Sequence, residues 1–422
     1  MSNSKVIVIG GGFGGLNVVQ SLNGENLDIL LLDRTNHHLF QPLLYQVATA
    51  ALSVTNIASP IREIVRDQKN VEVLMETVIH INKEEQQVIT ADGKNFFFDY
   101  LVVASGANHS YFGHDEWEKL APGLKTAADG ERICANILSA FEKAECCENP
   151  QEAQNYLCFA IIGAGPTGVE IAGSIAEFAH RTLFKNFRRI NPSTSKIYLI
   201  EGSNQVLPTF SPRLGEKARK NLEKLGVEVK LNTIVTDISA EGIYMGDQFL
   251  AAATVIWAAG NQASSLLTTL HIPLDKQGRA IVNADLTISH YPNIFVIGDA
   301  ASCLNVKKEP LPGIAPVAIQ QGRYVANIIK KHLPSEERKP FVYFDKGTVA
   351  TIGGGKAVVM IGKLQFSGFF AWLIWCFIHI FYLISFRYRI LIMMQWIFLY
   401  LLGRRQARVI VEPANDDSFS RK

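Results

Sequence analysis

Two apolar runs, each closed by clustered glycines and each followed by a segment of helical spacing, set the rhythm of the chain: Val6-Ile7-Val8-Ile9 and Ala160-Ile161-Ile162. Short continuous apolar runs of this kind read as strands buried on both faces of a parallel sheet. Gly15 to Leu22 and Val169 to Ala179 follow them as helices, and Asp28 to Leu32 and Lys196 to Ile200 return as second strands. Tyr100 to Ala107 and Thr254 to Asn261 form a later pair, each an apolar strand ending in small residues. Val71 to Val73, Glu76 to Ile81, Gln87 to Thr90 and Phe96 to Phe98 alternate instead, with Asp92-Gly93 as a hairpin turn. Asp285 to Ala301 reads as a strand running into Gly-Asp-Ala, and Ile314 to Arg323 as the start of a helix. The pattern predicts an α/β fold with two Rossmann-like dinucleotide-binding domains and a helical C-terminal segment.

The glycine clusters give that duplication its chemistry. Gly10, Gly12 and Gly15 and then Gly163, Gly165 and Gly168 both follow Gly-x-Gly-x-x-Gly, the turn that brings a pyrophosphate to a helix N-terminus. Two such turns imply two nucleotides, and hence electron transfer between them. Asp33, at the end of the second strand, lies about 20 residues beyond the first glycine, where a carboxylate accepts from the ribose hydroxyls. Glu201 holds the matching place in the second half, displaced by an insertion from Arg181 to Ser195 that contains Asn191-Pro192. A carboxylate there repels a 2′-phosphate, and Gly202-Ser203-Asn204 contains no arginine to receive one, so the second site favours NADH over NADPH. Glu170 opens the helix beyond Gly168, where burial would raise its pKa and make it a proton carrier; a charge placed favourably in a first helical turn accounts for it equally simply.

Charge is nearly balanced, 41 basic against 39 acidic residues over 422, so composition provides no general reason to expect a nucleic-acid partner. The first strand begins within ten residues of the N-terminus, leaving no room for a leader, and the nucleotide domains are expected on the cytosolic side. The six cysteines, Cys134, Cys146, Cys147, Cys158, Cys303 and Cys376, have no C-x-x-C spacing; they read as structural thiols, with no metal site expected. His37-His38 reads as polar loop in a stretch, Asn36 to Thr49, that is too polar for a core element and too apolar for a solvated loop; it suits the lining of a flavin or a tunnel.

From Phe366 the composition changes. Phe366 to Phe386 carries no formal charge with His379 neutral, and at about 20 residues has just the length to span a bilayer. Its Phe, Trp and Tyr content instead suits the interface. Ser367, Ala371, Trp375, His379 and Tyr382 draw a small or polar seam at helical spacing. Arg387-Tyr388-Arg389 interrupts the run, Ile390 to Leu402 is too short to cross, and Gly403-Arg404-Arg405 with Arg408 closes it. Two amphipathic helices lying in the headgroup plane, with the arginines on anionic lipid, are favoured over one spanning helix, a buried pair or a dimer interface.

The two glycine turns, Phe40-Gln41-Pro42-Leu43-Leu44-Tyr45, Gly163 to Glu170, Ile297-Gly298-Asp299-Ala300 and the Ala315 to Gln321 helix together resemble the type II NADH dehydrogenases, non-proton-pumping NADH:quinone oxidoreductases among the pyridine nucleotide-disulfide oxidoreductase-like flavoproteins. The resemblance implies FAD and NADH as cofactors and hydride transfer from NADH to FAD, then two electrons to a membrane quinone. It places FAD on Gly10, Gly12, Gly14, Gly15, Asp33, Ala104, Gly106, Asp299 and Ala318, and NADH on Gly163, Gly165, Thr167, Gly168, Glu201 and Gly260, with Glu170 beside the nicotinamide. Where the family shows Ala-Gln-x-Ala-x-Gln, this chain has Ala315-Pro316-Val317-Ala318-Ile319-Gln320, so quinone contacts fall to Gln320 and Gln321. The domains implied are 1–120 and 285–345 for FAD, 121–284 for NADH and 346–422 for attachment as a peripheral, monotopic protein on the cytoplasmic side of the cell membrane, with a homodimer left open. Two alternatives remain at this stage: a sulfide:quinone reductase, which would need reactive cysteines beside the flavin, and a membrane-bound flavoprotein redox sensor that binds NADH without turnover.

Overall fold

The structure is a computed structural model that describes residues 3–384, 386–402, 405 and 407–410. The chain forms two compact units. The first comprises the residues up to Leu39, Ala58–His109 and Asn261–Lys346; the second comprises Phe40–Ile57, Ser110–Gly260 and the described residues from Gly347 onward.

In the first unit, six strands form one sheet in the order Thr287–Ile288, Tyr291–Val296, Tyr100–Val103, Ser4–Ile9, Leu27–Asp33, Val71–Met75. All neighbours run parallel except the first two. Val8 stands between Leu31 and Val102, all three without solvent exposure, as a doubly covered strand requires. Helices Phe13–Ser21 and Ala315–Lys330 pack on one face, so closely that a Cβ at Gly322 would lie 2.5 Å from the Gly14 carbonyl oxygen. The alternating segments form a separate antiparallel sheet, Val78–Asn82, Gln87–Thr90 and Asn95–Phe97.

The second unit repeats the plan with a four-stranded parallel sheet ordered Val227–Lys230, Lys196–Ile200, Cys158–Ile162, Thr254–Trp257. Helix Ala127–Cys146 packs here, begun by a capping box in which Thr126 and Asp129 satisfy each other's backbone N–H. Helix Pro166–Glu177 passes directly into a π turn, Phe178–Thr182, which opens the expected insertion.

Strands Thr348–Gly353, Lys356–Ile361 and Leu364–Gly368 form an antiparallel sheet ahead of two helices, Phe369–Tyr382 and Phe386–Leu402. Phe366 to Gly368 therefore complete a strand, not the expected helix start, and Gly368 turns the chain at φ +89°. The 14 residues of the first helix extend about 21 Å, against a hydrocarbon core of about 30 Å. Among the described residues no helix is long and apolar enough to cross a membrane. The expected seam faces inward: Ala371, Trp375 and His379 are buried, while Phe370 and Phe377 are 76% and 70% exposed on the opposite face. Ser385, Gly403 and Arg404 lie outside the described residues.

Candidate functional site

Each unit carries a glycine cradle, and the two share the same turn geometry. Gly10 and Gly163 turn at φ +100° and +99°, a region that penalises any side chain. A Cβ at Gly15 would lie 1.9 Å from the Gly10 oxygen, and one at Gly168 would lie 1.8 Å from the Gly163 oxygen, so both helices rest directly on their turns. The middle glycines differ in kind. At Gly12 and Gly165 an added Cβ meets nothing within 4 Å, which leaves room for a ligand to approach the backbone at the helix start.

The acids behave alike as well. Asp33 accepts from the Gly11 N–H at 2.6 Å and from the Thr35 N–H and hydroxyl at 2.6 and 2.7 Å. Glu201 accepts from the Ala164 N–H at 2.6 Å and the Ser203 N–H at 2.8 Å. A carboxylate has about four acceptor sites, so each retains capacity for a ribose hydroxyl. Around the first cradle, a Cβ at Gly10 would meet the Ala104 oxygen at 2.3 Å, and one at Gly14 would lie 3.6 Å from the Ala318 oxygen. Gly106 and Gly260, at the ends of the paired strands, sit at φ +69° and +72°. Asp299 lies in the Gly298–Ala300 turn, with Gly313 so close that a Cβ there would stand 3.0 Å from Asp299 Oδ1. Thr167 is exposed in the first turn of its helix.

His38 was missed as part of this arrangement. It is buried, with Nδ1 3.0 Å from the Gly11 oxygen and its ring edge-on to Phe13 at 4.9 Å, and burial lowers its pKa so that it stays neutral. Its Nε2 has no partner among the described residues. A buried Nε2 left unsatisfied while Nδ1 holds the Gly11 oxygen fits a polar ligand group. The cradle offers what a dinucleotide needs: open backbone at Gly12, an acid at the strand end and a spare acceptor at His38 Nε2.

Both glutamines assigned to quinone are engaged within the first unit. Gln320 clamps the backbone of Phe344, donating to its oxygen at 3.0 Å and accepting from its N–H at 2.9 Å. Gln321 is buried and accepts from the Gly298 N–H at 2.7 Å, bracing the Gly-Asp-Ala turn. Pro316 occupies the first turn of helix Ala315–Lys330, where its missing N–H costs nothing.

Glu170 belongs to a polar cluster inside the second unit. It recurs with Ser174 and Glu177 at i, i+4 and i+7 on one helix face, a spacing already present in the sequence. Burial pushes the Glu170 carboxyl up to about 8, opposed weakly by the Thr351 N–H at 3.3 Å and by a poorly aligned Trp375 indole. Glu177 accepts from the Gly354 N–H at 2.6 Å, and Thr49 and Ser174 share a hydroxyl bond of 2.7 Å. Trp396 donates to Gln46 Oε1 at 2.8 Å, tying the last helix to the Phe40–Ile57 segment. Arg405 enters from the C-terminal end, buried over the Phe178 ring, and donates to the Thr49 oxygen and to Ser174 O and Oγ at 3.0 and 3.2 Å. Gln46, Glu170, Ser174, Glu177, Thr351 and Arg405 line a cavity of about 20 Å³, room for one water. Nothing in the sequence joins Arg405 to Ser174, 231 residues earlier; packing alone does so.

Comparison with known proteins places these cradles in context. Residues 4–322 match the pyridine nucleotide-disulphide oxidoreductase family, and residues 346–405 match the NDH2 C-terminal domain. The type II NADH:quinone oxidoreductase Ndh of Mycobacterium tuberculosis is 43% identical, over 97% of this chain and 90% of its own length. A type II NADH:quinone oxidoreductase of Staphylococcus aureus is 31% identical, over 86% of this chain and 91% of its own. The fold is also that of NDH2 from Plasmodium falciparum, solved in complex with NADH: TM-score 0.87 at 22% identity, covering 96% of this chain and 99% of that one.

Proposed function

The chain belongs to the type II NADH:quinone oxidoreductase family, and on that premise we propose that it oxidises NADH and reduces a membrane quinone through bound FAD, without pumping protons. The observation that carries this reading is the duplicated cradle, two glycine turns with an acid at each second strand. When bound, FAD accepts hydride from NADH and passes two electrons on to quinone. The residues of the chain supply placement and proton handling. Gly10, Gly12, Gly14, Gly15, Asp33, Ala104, Gly106, Asp299 and Ala318 would hold FAD, with His38 added to them. Gly163, Gly165, Thr167, Gly168, Glu201 and Gly260 would hold NADH. Glu170, protonated below about pH 8, would hold a proton at neutral pH beside a cavity with room for one water. Gln320 and Gln321 would reach a quinone only by exchanging the bonds they now make.

The proposal extends to attachment. The outward faces of the two C-terminal helices, with Phe370, Phe377, Ile397 and Phe398 exposed, would lie in the interface of the cytoplasmic leaflet, as a peripheral protein with access to quinone in the bilayer.

A sulfide:quinone chemistry is disfavoured by the thiols. All six cysteines are free, and burial pushes Cys158 up to about 11 and Cys376 up to about 12, away from the thiolate such chemistry needs. Anaerobic mixing with NADH followed by a short-chain quinone tests the proposal. Bleaching of the flavin and its full recovery are expected. Bleaching without recovery would support the redox sensor instead, and no bleaching would remove NADH as donor.

A further inference from the structure

The insertion after helix Pro166–Glu177 contributes nothing to the NADH cradle, yet its composition is one-sided. Between Phe178 and Ser195 it holds Arg181, Lys185, Arg188 and Arg189 and no aspartate or glutamate. All four cationic residues are exposed. Among them Phe184 stands 54% exposed, with Lys185 Nζ 5.2 Å from its ring centroid. An aromatic ring left in water among cations suits a boundary between headgroups and acyl chains.

The loop is held firmly. The Glu145 carboxylate accepts three consecutive backbone N–H groups, from Arg188, Arg189 and Ile190, at 2.9 to 3.0 Å. Desolvation opposes its ionisation, but those bonds hold the carboxyl below its usual range. Glu145 thus fills the backbone nest that would otherwise attract a small anion, and it spends its charge on the main chain. Phe187 stacks on Phe141 at 6.1 Å behind the loop. The described end of the chain reaches the same place: Arg408 donates to Asn186 Oδ1 at 3.2 Å, and Val409 and Ile410 beyond it are exposed.

We propose that the 181–189 loop, with Arg408, is a docking site for anionic lipid headgroups, with Phe184 entering the interface. The inference rests on the reading of the C-terminal helices as membrane-seated and adds to it a second, cationic contact outside those helices. A bilayer surface fits better than a discrete phosphate because the cations are spread along an exposed run and the backbone nest is filled.

The test uses full-length, flavin-loaded protein floated with vesicles of phosphatidylcholine alone or mixed with phosphatidylglycerol. The wild type should bind the mixed vesicles at least about tenfold more tightly at low salt, and the gain should fade as salt rises. The variant Arg181→Gln/Lys185→Gln/Arg188→Gln/Arg189→Gln, which keeps Arg408, should bind neutral vesicles as the wild type does and lose most of the gain on the mixed ones. Phe184→Ser should weaken binding to both. A fourfold variant that keeps the anionic preference, or a wild type that has none, overturns the proposal. Abolition of the preference by inorganic phosphate at constant ionic strength also overturns it, in favour of a discrete anion site. Absence of binding to any vesicle overturns the membrane reading itself. Should the fourfold variant lose its flavin, Arg181→Gln/Lys185→Gln takes its place, with a partial loss of the preference expected and an unchanged preference contradicting the proposal.

Discussion

Replacing Gly165 by alanine separates what the second cradle does for the fold from what it does for a ligand. The residue sits at φ −66°, ψ −178°, a conformation open to any amino acid, and an added Cβ meets no atom within 4 Å. The folded chain is unstrained by the change, and the unfolded chain loses freedom, so stability should rise by about 0.4–1 kcal/mol. The new methyl group nevertheless stands where a pyrophosphate would approach the start of helix Pro166–Glu177. Holding the phosphate away from those N–H groups forfeits one or more charge-assisted hydrogen bonds, about 1.5–3 kcal/mol each. The KM for NADH should therefore rise about 10- to 100-fold, with kcat at saturating NADH little changed. Steady-state NADH oxidation and thermal unfolding of the same preparation read both effects. In the first cradle Gly12→Ala, at φ −74° with the same open surroundings, should instead lower flavin retention. A raised melting temperature with an unaltered KM would refute the placement of the pyrophosphate.

Gly168→Ala is the counterpart: its Cβ would lie 1.8 Å from the Gly163 oxygen, so the helix must shift, and a loss of about 1–3 kcal/mol or more is expected in denaturant melts. Glu170→Gln tests the buried acid. With a folded-state value of about 8 against the ordinary 4.5, the native state retains a proton that the unfolded chain releases, so this contribution is complete below about pH 4.5 and is lost as pH rises towards 8. The wild type should lose up to a few kcal/mol across that window and the glutamine variant less; parallel stability profiles would contradict the assignment. Phe370→Ser/Phe377→Ser removes two exposed rings from the outer helix face, and should weaken vesicle binding at least about 100-fold, by about 1.5 kcal/mol or more per ring, while turnover with a soluble quinone in detergent stays unchanged.

The parallel sheets were legible because their strands are covered on both faces, so Val6 to Ile9 and Cys158 to Ile162 stand out as apolar runs whatever surrounds them. The cradles were legible because each glycine answers a local steric demand set within a few residues. Where a residue's role depends on partners distant in the chain, the sequence does not reveal it. His38 reads as loop polarity until the Gly11 oxygen and Phe13 ring are found beside it. Arg405 reads as a flanking charge until Ser174 and Thr49 enclose it. The three residues ahead of the first C-terminal helix were misjudged for a different reason: an unbroken apolar run does not reveal where strand gives way to helix, and Gly368 was the break.

The central claim is tested most directly by placing the protein on the outside of vesicles that hold quinone in the bilayer and a pH-sensitive dye in the lumen. NADH oxidation should match quinone reduction one for one, with no acidification of the lumen. Failure to couple NADH to quinone, or coupled proton entry into the lumen, would contradict the account.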